Sequence, residues 1–225
     1  MSTDLSIKKN KYNYNVFIDL DKTLLSVDSG SVLAKCAHKE GLMRTRDILN
    51  GLYLIVLYKM EWRDTHKIIN SMALWMKGIK EIEFIKFANR VVSDFLLNEV
   101  RPELRKEIQK HKRAGGRIIM LSASLNYVCE PIGESLGFDH ILCSSLELDN
   151  DEFTGKPNGH LCFGKEKLVR LEQFYLEFES KPDKDYYYAD SYSDVYVMRK
   201  VGYPVVVDPD RHLKRHAKHK GWRVL

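Results

Sequence analysis

The run Val16-Phe17-Ile18 is apolar, and it gives way abruptly to the polar string Asp19-Leu20-Asp21-Lys22-Thr23. Three apolar residues, two of them β-branched, predict a buried strand that ends where the carboxylates begin. Ser26 to Gly30 reads as a small polar linker. From about Ser31 to Glu99 the period changes. Ile55, Tyr58 and Trp62, then Ile68, Ile69, Met72 and Trp75, recur at helical spacing, as do Ile82, Phe84, Ile85 and Phe87, and Val91, Val92, Phe95 and Leu96. Gly41, Gly78 and the Arg101-Pro102 step punctuate this region. The pattern is that of a small helical bundle inserted after the first strand.

Alternation of strand and helix then resumes. Glu103 to Arg113 reads as a helix closed by Ala114-Gly115-Gly116, and Arg117 to Leu121 as a buried strand. Leu125 to Leu136 is a predicted helix, His140 to Cys143 a strand, and Leu146 to Gly159 an exposed hairpin. Lys165 to Phe178 is a helix, Tyr186 to Ala189 a strand, Asp194 to Lys200 a helix, Val205 to Val207 a strand, and Arg211 to Lys220 a basic helix. Strands alternating with helices imply a parallel sheet covered on both faces. The expected class is α/β: a Rossmann-like, doubly wound parallel sheet built from residues 1–29 and 101–225, with residues 30–100 as an all-helical cap.

Composition narrows the picture without deciding it. The 225 residues are 44% hydrophobic and 30% charged, which is ordinary for a globular chain. The net charge of +5 suits an anionic substrate and is weak support for nucleic acid. In the basic stretch from Arg211 to Lys220, Leu213, Ala217 and the following Trp222 indicate a helix packed on the core with a solvated basic face, so no nucleic-acid partner is expected. Four scattered cysteines with no CxxC pair point to free thiols in a reducing compartment and away from zinc. The first 15 residues are polar and Lys-rich, and the longest apolar stretch, Gly51 to Tyr58, is far short of the roughly 20 residues of a membrane span. A cytoplasmic location is expected.

The candidate chemistry sits at strand ends. Asp19 and Asp21 stand at the carboxyl edge of a parallel sheet, where open α/β folds place their ligands. One carboxylate there can attack a phosphorus atom while the other handles the proton of the leaving group. The plain alternative is an Asp-rich turn. Ser122-Ala123-Ser124 follows the second strand, and either serine holds a phosphoryl oxygen or caps the next helix. Asp190 and Asp194 follow a later strand; a hard cation such as Mg²⁺ takes oxygen ligands of this kind, and helix capping is again the alternative. Gly164-Lys165-Glu166-Lys167 offers an ammonium at a helix start, a place that favours it only beside anions.

In this order, these pieces resemble the haloacid dehalogenase superfamily of phosphohydrolases. Its first motif, Asp-x-Asp-x-Thr, is matched by Asp19 to Thr23. Its second is matched by Ser122, its third best by Lys167, with Lys165 behind it, and its fourth by Asp190 and Asp194. Lys167 is preferred because Leu171 and Phe174 share its helical face. A helical insert between the first two motifs is similar to the phosphoserine-phosphatase-like branch, subfamily IB. Lys22 stands where the first motif often has Gly, with no loss of activity expected, and Asp21 argues against dehalogenation because the dehalogenases lack that second Asp.

The resemblance implies a role for each residue. Asp19 would be the nucleophile, Asp21 the general acid and then base, and Ser122 with the N–H of Ala123 the holders of the phosphoryl oxygens. Lys167 would screen charge. Asp19, the Asp21 carbonyl and Asp190 would bind Mg²⁺, with Thr23 and Asp194 in support. By the same resemblance Asp28 would take a substrate amino group, a turn or helix cap being its plain alternative, and Arg63 a substrate carboxylate, with Arg44 and Arg46 behind it. The expected substrate is a small phosphomonoester of the phosphoserine kind. The apolar run Leu52 to Tyr58, with Trp62, Trp75 and Met76, leaves open a membrane-associated lipid-phosphate phosphatase. A non-catalytic phosphate-binding or regulatory protein is the remaining alternative. Oligomeric state is not legible.

Overall fold

The protein is represented by a computed structural model that describes residues 12–59 and 73–225. Its main sheet has six strands: β1 (Tyr14–Ile18), β2 (Gly116–Leu125), β3 (His140–Ser144), β6 (Tyr186–Ala189), β7 (Tyr203–Val206) and β8 (Arg223–Val224). Every neighbouring pair is parallel, in the order β3-β2-β1-β6-β7-β8. The chain winds outward from β1 to one edge, then returns and winds to the other. The order reverses between β1 and β6, and open sheets bind ligands at that crevice. β8 extends the predicted sheet by one short strand at its edge.

Alternation along each strand splits the core in two. Val16, Ile18, Ile118, Met120, Tyr188 and Val205 face one way, Phe17, Ile119, Leu121, Tyr187 and Val206 the other. The first face is covered by α4 (Pro102–Arg113) and α5 (Asn126–Leu136) through Leu104, Ile108, Val128 and Ile132. The second is covered by α6 (Lys165–Glu177), α7 (Val195–Met198) and α8 (Arg211–Lys220) through Leu171, Phe174, Val197, Leu213 and Ala217. This is the doubly wound arrangement that the alternation predicts.

Between β1 and β2 the described chain is helical: α1 (Ser29–Lys39), α2 (Thr45–Lys59) and α3 (Glu81–Asp94), with short 3₁₀ turns at Leu74–Met76 and Leu96–Glu99. Phe84, Phe87, Val91 and Val92 of α3 pack with Leu33 and Ala37 of α1 into the same cluster as the first face of the sheet. The positions Trp62, Ile68, Ile69 and Met72 of the predicted periodicity lie outside the described residues, as does Arg63. The two connections of this insert run side by side: Ser26 N–H donates to the Glu99 carbonyl and Arg101 N–H to the Leu24 carbonyl, each at 2.9 Å.

Three local expectations need correction. The second strand does not stop at Leu121; it continues through Ser122-Ala123-Ser124 to Leu125 across an irregularity in its pairing with β3. The hairpin of β4 (Leu146–Asp149) and β5 (Glu152–Pro157) is not free in solvent. Phe153 is buried against Phe84 and Tyr127, and the segment before α3 pairs with β5 through Gly78 N–H to the Phe153 carbonyl and Phe153 N–H to the Ile79 carbonyl. The helix predicted from Asp194 to Lys200 is shorter, a 3₁₀ turn at Tyr192–Asp194 leading into α7.

Candidate active site

Asp19 is the first residue past β1, and its N–H still pairs with β6, donating to the Tyr188 carbonyl at 3.0 Å. The chain then makes one wide turn over Leu20–Leu24, closed by Leu24 N–H to the Asp19 carbonyl and Leu25 N–H to the Leu20 carbonyl. The turn buries Leu20, Thr23 and Leu24, and this anchors Asp21 between them at the sheet edge. Lys22 sits inside it with φ of 56°, the left-handed region that favours glycine. The Lys22 carbonyl accepts from Arg101, whose guanidinium also pairs with Asp208.

β6 neighbours β1, so Asp190 emerges beside Asp19. Thr23 joins them: its hydroxyl reaches Asp19 Oδ2 at 3.4 Å and Asp190 Oδ1 at 3.3 Å. A hydroxyl has one hydrogen, so the two long contacts share it. Lys167, the third residue of α6, completes the group. Its ammonium lies 2.8 Å from Asp19 Oδ1, 2.8 Å from Asp194 Oδ2 and 3.2 Å from the Tyr187 hydroxyl, which spends all three of its hydrogens. Lys167 is buried with Leu171 and Phe174, whereas Lys165 is exposed with its ammonium over the Tyr196 ring.

The charges here do not balance. Asp19, Asp190 and Asp194 surround one ammonium. Burial, then Asp19 and then Asp194, push the Asp190 carboxyl up to about 7. Burial likewise raises Asp194, against the pull of Lys167. Burial alone would weaken the Lys167 ammonium, but Asp19 and Asp194 hold it well above the ordinary lysine range. Asp194 Oδ1 is buried with no hydrogen-bond partner among the described residues. A surplus of buried carboxylate oxygen suits a hard dication, and Mg²⁺ takes one or two carboxylates and keeps its waters. Among the described residues no group of three or more His, Cys, Asp or Glu side chains is placed to hold a metal ion, so an ion here would rest on one or two carboxylates and its own waters.

Asp21 stands apart from this cluster. Its Oδ1 accepts from Ser29 N–H at 2.7 Å and its Oδ2 from the Ser124 hydroxyl. Burial and then the charge of Asp28 push its carboxyl up to about 6, against those hydrogen bonds. Such a group exchanges a proton near neutral pH. Asp28 caps α1, its Oδ1 accepting from Ser31 N–H at 2.7 Å.

Ser122 is buried on β2, two residues past Met120, the register partner of Ile18. Neither it nor Ser124 caps α5, whose cap position is Leu125 with no side-chain bond. Ser122 Oγ instead accepts from Ser124 N–H at 3.2 Å, with half-buried Ala123 between them.

The structure therefore brings Asp19, Thr23, Lys167, Asp190 and Asp194 together, with Asp21 and Asp28 alongside. Arg63 lies outside the described residues. Sequence reasoning missed Tyr187 and Ser29 as members of the site, and gave Ser124 as a phosphoryl holder or helix cap rather than as a partner of Asp21. The alternation of Tyr186-Tyr187-Tyr188 carried a signal for the first, since Tyr187 points to the face that α6 covers.

Comparison with known proteins decides the family. The model of the haloacid dehalogenase-like hydrolases matches residues 16–199, from β1 to just past α7. The chain belongs to that family. A histidinol-phosphatase of Neisseria meningitidis is 27% identical over 222 residues, covering 92% of this chain and 96% of its own length. A phosphoserine phosphatase of Mycobacterium tuberculosis is 21% identical over 212 residues, covering 92% of this chain and 69% of its own. A Bordetella pertussis protein of unknown function has a similar fold, with a TM-score of 0.86 at 21% identity over 95% of this chain and 98% of that one. Within the haloacid dehalogenase-like family this chain is a hydrolase of the phosphatase kind, with a phosphoserine-phosphatase-like architecture. No helix among the described residues is long and apolar enough to cross a membrane.

Proposed function

We propose that this chain is a Mg²⁺-dependent phosphomonoesterase that works through an aspartyl-phosphate and acts on a small 2-aminoalkyl phosphate in the cytoplasm. The observation that carries the reading is the buried Lys167 ammonium held 2.8 Å from both Asp19 and Asp194. It sets a cation against the Asp19 carboxylate, which offsets the repulsion a carboxylate meets on approaching a phosphate dianion.

Asp19 attacks phosphorus, and the bond from phosphorus to the alkyl oxygen breaks. Asp21 delivers its proton to the departing oxygen, so the alcohol leaves neutral. Water then attacks the aspartyl-phosphate, Asp21 takes the water's proton, and phosphate is released with Asp19 restored. Splitting the displacement in two is the covalent strategy, and an acid raised to about 6 suits both halves. The Ser122 hydroxyl and the Ala123 N–H hold phosphoryl oxygens while Lys167 offsets their charge. Asp19, Asp190 and the Asp21 carbonyl would hold Mg²⁺, with Asp194 and Thr23 bracing them. When bound, the ion supplies a Lewis acid that draws charge off the phosphoryl oxygens.

Phosphoserine and histidinol phosphate, the compounds named for two relatives, both carry an amine two carbons from the ester oxygen. Asp28 supplies a carboxylate near Asp21, and only its Oδ1 is committed to capping. We assign the ammonium of the substrate to Asp28. Arg63 remains the proposed partner of a substrate carboxylate.

The test is phosphate release from phosphoserine, histidinol phosphate, 2-aminoethyl phosphate and glycerol phosphate, with and without Mg²⁺, by wild type, Asp19→Asn and Asp28→Asn. The reading expects Mg²⁺-dependent turnover that vanishes in Asp19→Asn. It also expects a preference for amino substrates that Asp28→Asn abolishes. Turnover surviving in Asp19→Asn defeats the mechanism, and equal turnover of glycerol phosphate defeats the substrate class.

One observation favours a second reading. Leu49, Leu52 and Tyr53 are exposed at helical spacing along α2, as a lipid-contacting insert requires. Activity that rises with phospholipid vesicles and falls without them would favour a lipid phosphate as substrate.

A further inference from the structure

Ser124 and Ser29 lie far apart in the chain and read respectively as a helix cap and part of a linker. In the fold they do neither job. Ser29 opens α1, where the cap residue is Asp28, and Ser124 lies in the irregular end of β2. The two hydroxyl oxygens are 3.1 Å apart. Ser124 spends its single hydrogen on Asp21 Oδ2, and the Ser29 hydroxyl has both Ser124 Oγ and the Asp21 carboxylate as acceptors. The Ser29 N–H meanwhile donates to the other Asp21 oxygen at 2.7 Å. Ser29 is buried, and its contacts with Asp21 and Ser124 are partly shielded from solvent.

Both oxygens of Asp21 are thus gripped from two separate elements, one in the sheet and one at the root of the helical insert. A carboxylate held at a single oxygen keeps rotational freedom about its side-chain bonds; one held at both has its plane set. Two neighbouring hydroxyls that both reach one carboxylate support each other's geometry, which strengthens the hold that sets the plane. The same unit reaches Ser122, which accepts from Ser124 N–H at 3.2 Å. Ser124 in the irregular end of β2 therefore links Ser122 to Asp21.

We infer that Ser124, backed by Ser29, is a positioning residue that orients the Asp21 carboxyl for proton delivery to the leaving oxygen. The inference rests on the proposed role of Asp21 as acid. Ser124 touches no reacting atom in this scheme; it acts through Asp21.

The experiment measures release of the leaving group in the first turnover by rapid quench, with Mg²⁺ present. Two probes are used: 2-aminoethyl phosphate, whose alkoxide must be protonated, and p-nitrophenyl phosphate, whose phenolate leaves without a proton. Ser124→Ala is expected to slow the alkyl substrate about tenfold more than the aryl one, in the range typical of groups that orient a reacting residue. Ser124→Thr, which keeps the hydroxyl, restores the alkyl rate. Ser29→Ala, which keeps the N–H, shows the same selectivity to a smaller degree. In an Asp21→Asn background, Ser124→Ala adds no further loss. Equal slowing of both substrates, or none, overturns the inference. If Asp21→Asn itself releases the alkyl alcohol at the wild-type rate, the role of Asp21 fails first, and the two failures are told apart.

Discussion

The Tyr187 hydroxyl lies 3.0 Å from Asp194 Oδ2, the same oxygen that takes the Lys167 ammonium. Tyr187 is fully buried, so its hydrogen has no solvent alternative. The carboxylate that anchors Lys167 is therefore itself anchored from within the sheet. Tyr187→Phe removes one donor from a buried charge and is expected to destabilise the protein by about 1–2 kcal/mol. Thermal melts measure that loss. Turnover should fall several-fold, because Lys167 loses part of its support, and an unchanged melting temperature would show that the hydroxyl does not brace Asp194.

The surplus of carboxylates predicts a pH signature for the metal-free protein. The Asp190 carboxyl rises from an ordinary 3.8 to about 7 on folding, because of burial and then Asp19 and Asp194. Between those values the folded state binds more protons than the unfolded one, so this group's contribution to stability falls as pH rises through the window. Asp190→Asn removes the penalty. With chelator present it should stabilise the fold at pH 8 by about 1 kcal/mol, roughly 3 °C for a chain of this length, and the gain should fade at pH 5. Mg²⁺ should raise the melting temperature of wild type and leave that of Asp190→Asn little changed. A variant that melts lower than wild type at pH 8 would contradict this.

Lys22 offers a stabilising substitution beside the site. Its φ of 56° places a side-chain-bearing residue in the left-handed region. Lys22→Gly removes that strain but adds unfolded-chain entropy that opposes folding, for an expected net gain of roughly 0.5–1 kcal/mol. Lys22→Val should lose more than about 1 kcal/mol, since branching at Cβ disfavours this conformation further. Denaturant midpoints decide the order Gly, Lys, Val.

Gly202 is required for a different reason. A Cβ there would meet the Asp183 carbonyl at 1.9 Å, and the Gly202 N–H bonds the Pro182 carbonyl at 2.8 Å. The turn before β7 must therefore move in Gly202→Ala, at an expected cost of about 2–3 kcal/mol. Equilibrium unfolding compares it with Gly41→Ala, where no atom lies within 4 Å and the penalty is one of backbone conformation alone.

What was legible in the sequence follows from the range of the physics involved. Val16-Phe17-Ile18 and the strands after it declare themselves because burial on both faces demands continuous apolar residues. Lys167 separates from Lys165 because Leu171 and Phe174 mark the buried face of α6. The bracket on Asp21 was not legible. A serine near a strand end reads as a cap in any local window, and only the docking of α1 against the end of β2 puts Ser29 and Ser124 within reach of each other. The hairpin was misjudged for the same reason: Phe153 looks like an exposed residue in a turn-rich stretch until Phe84 and Tyr127 close over it.

The strand order carries a consequence for how the chain is made. Synthesis runs from the N-terminus, so β1, β2 and β3, which lie side by side in the sheet, are all available to pair before β6 has left the ribosome. At that stage Asp19 stands at the free flank of a growing sheet, with Lys167 not yet anchored by Asp194 and Asp190 still absent. Insertion of β6 against β1 brings the carboxylates together in one late event, spanning about 170 residues of sequence separation. The repulsion of the finished site therefore arises only once β1, β2 and β3 are available to bear it, because Asp190 and Asp194 lie beyond all three in the sequence.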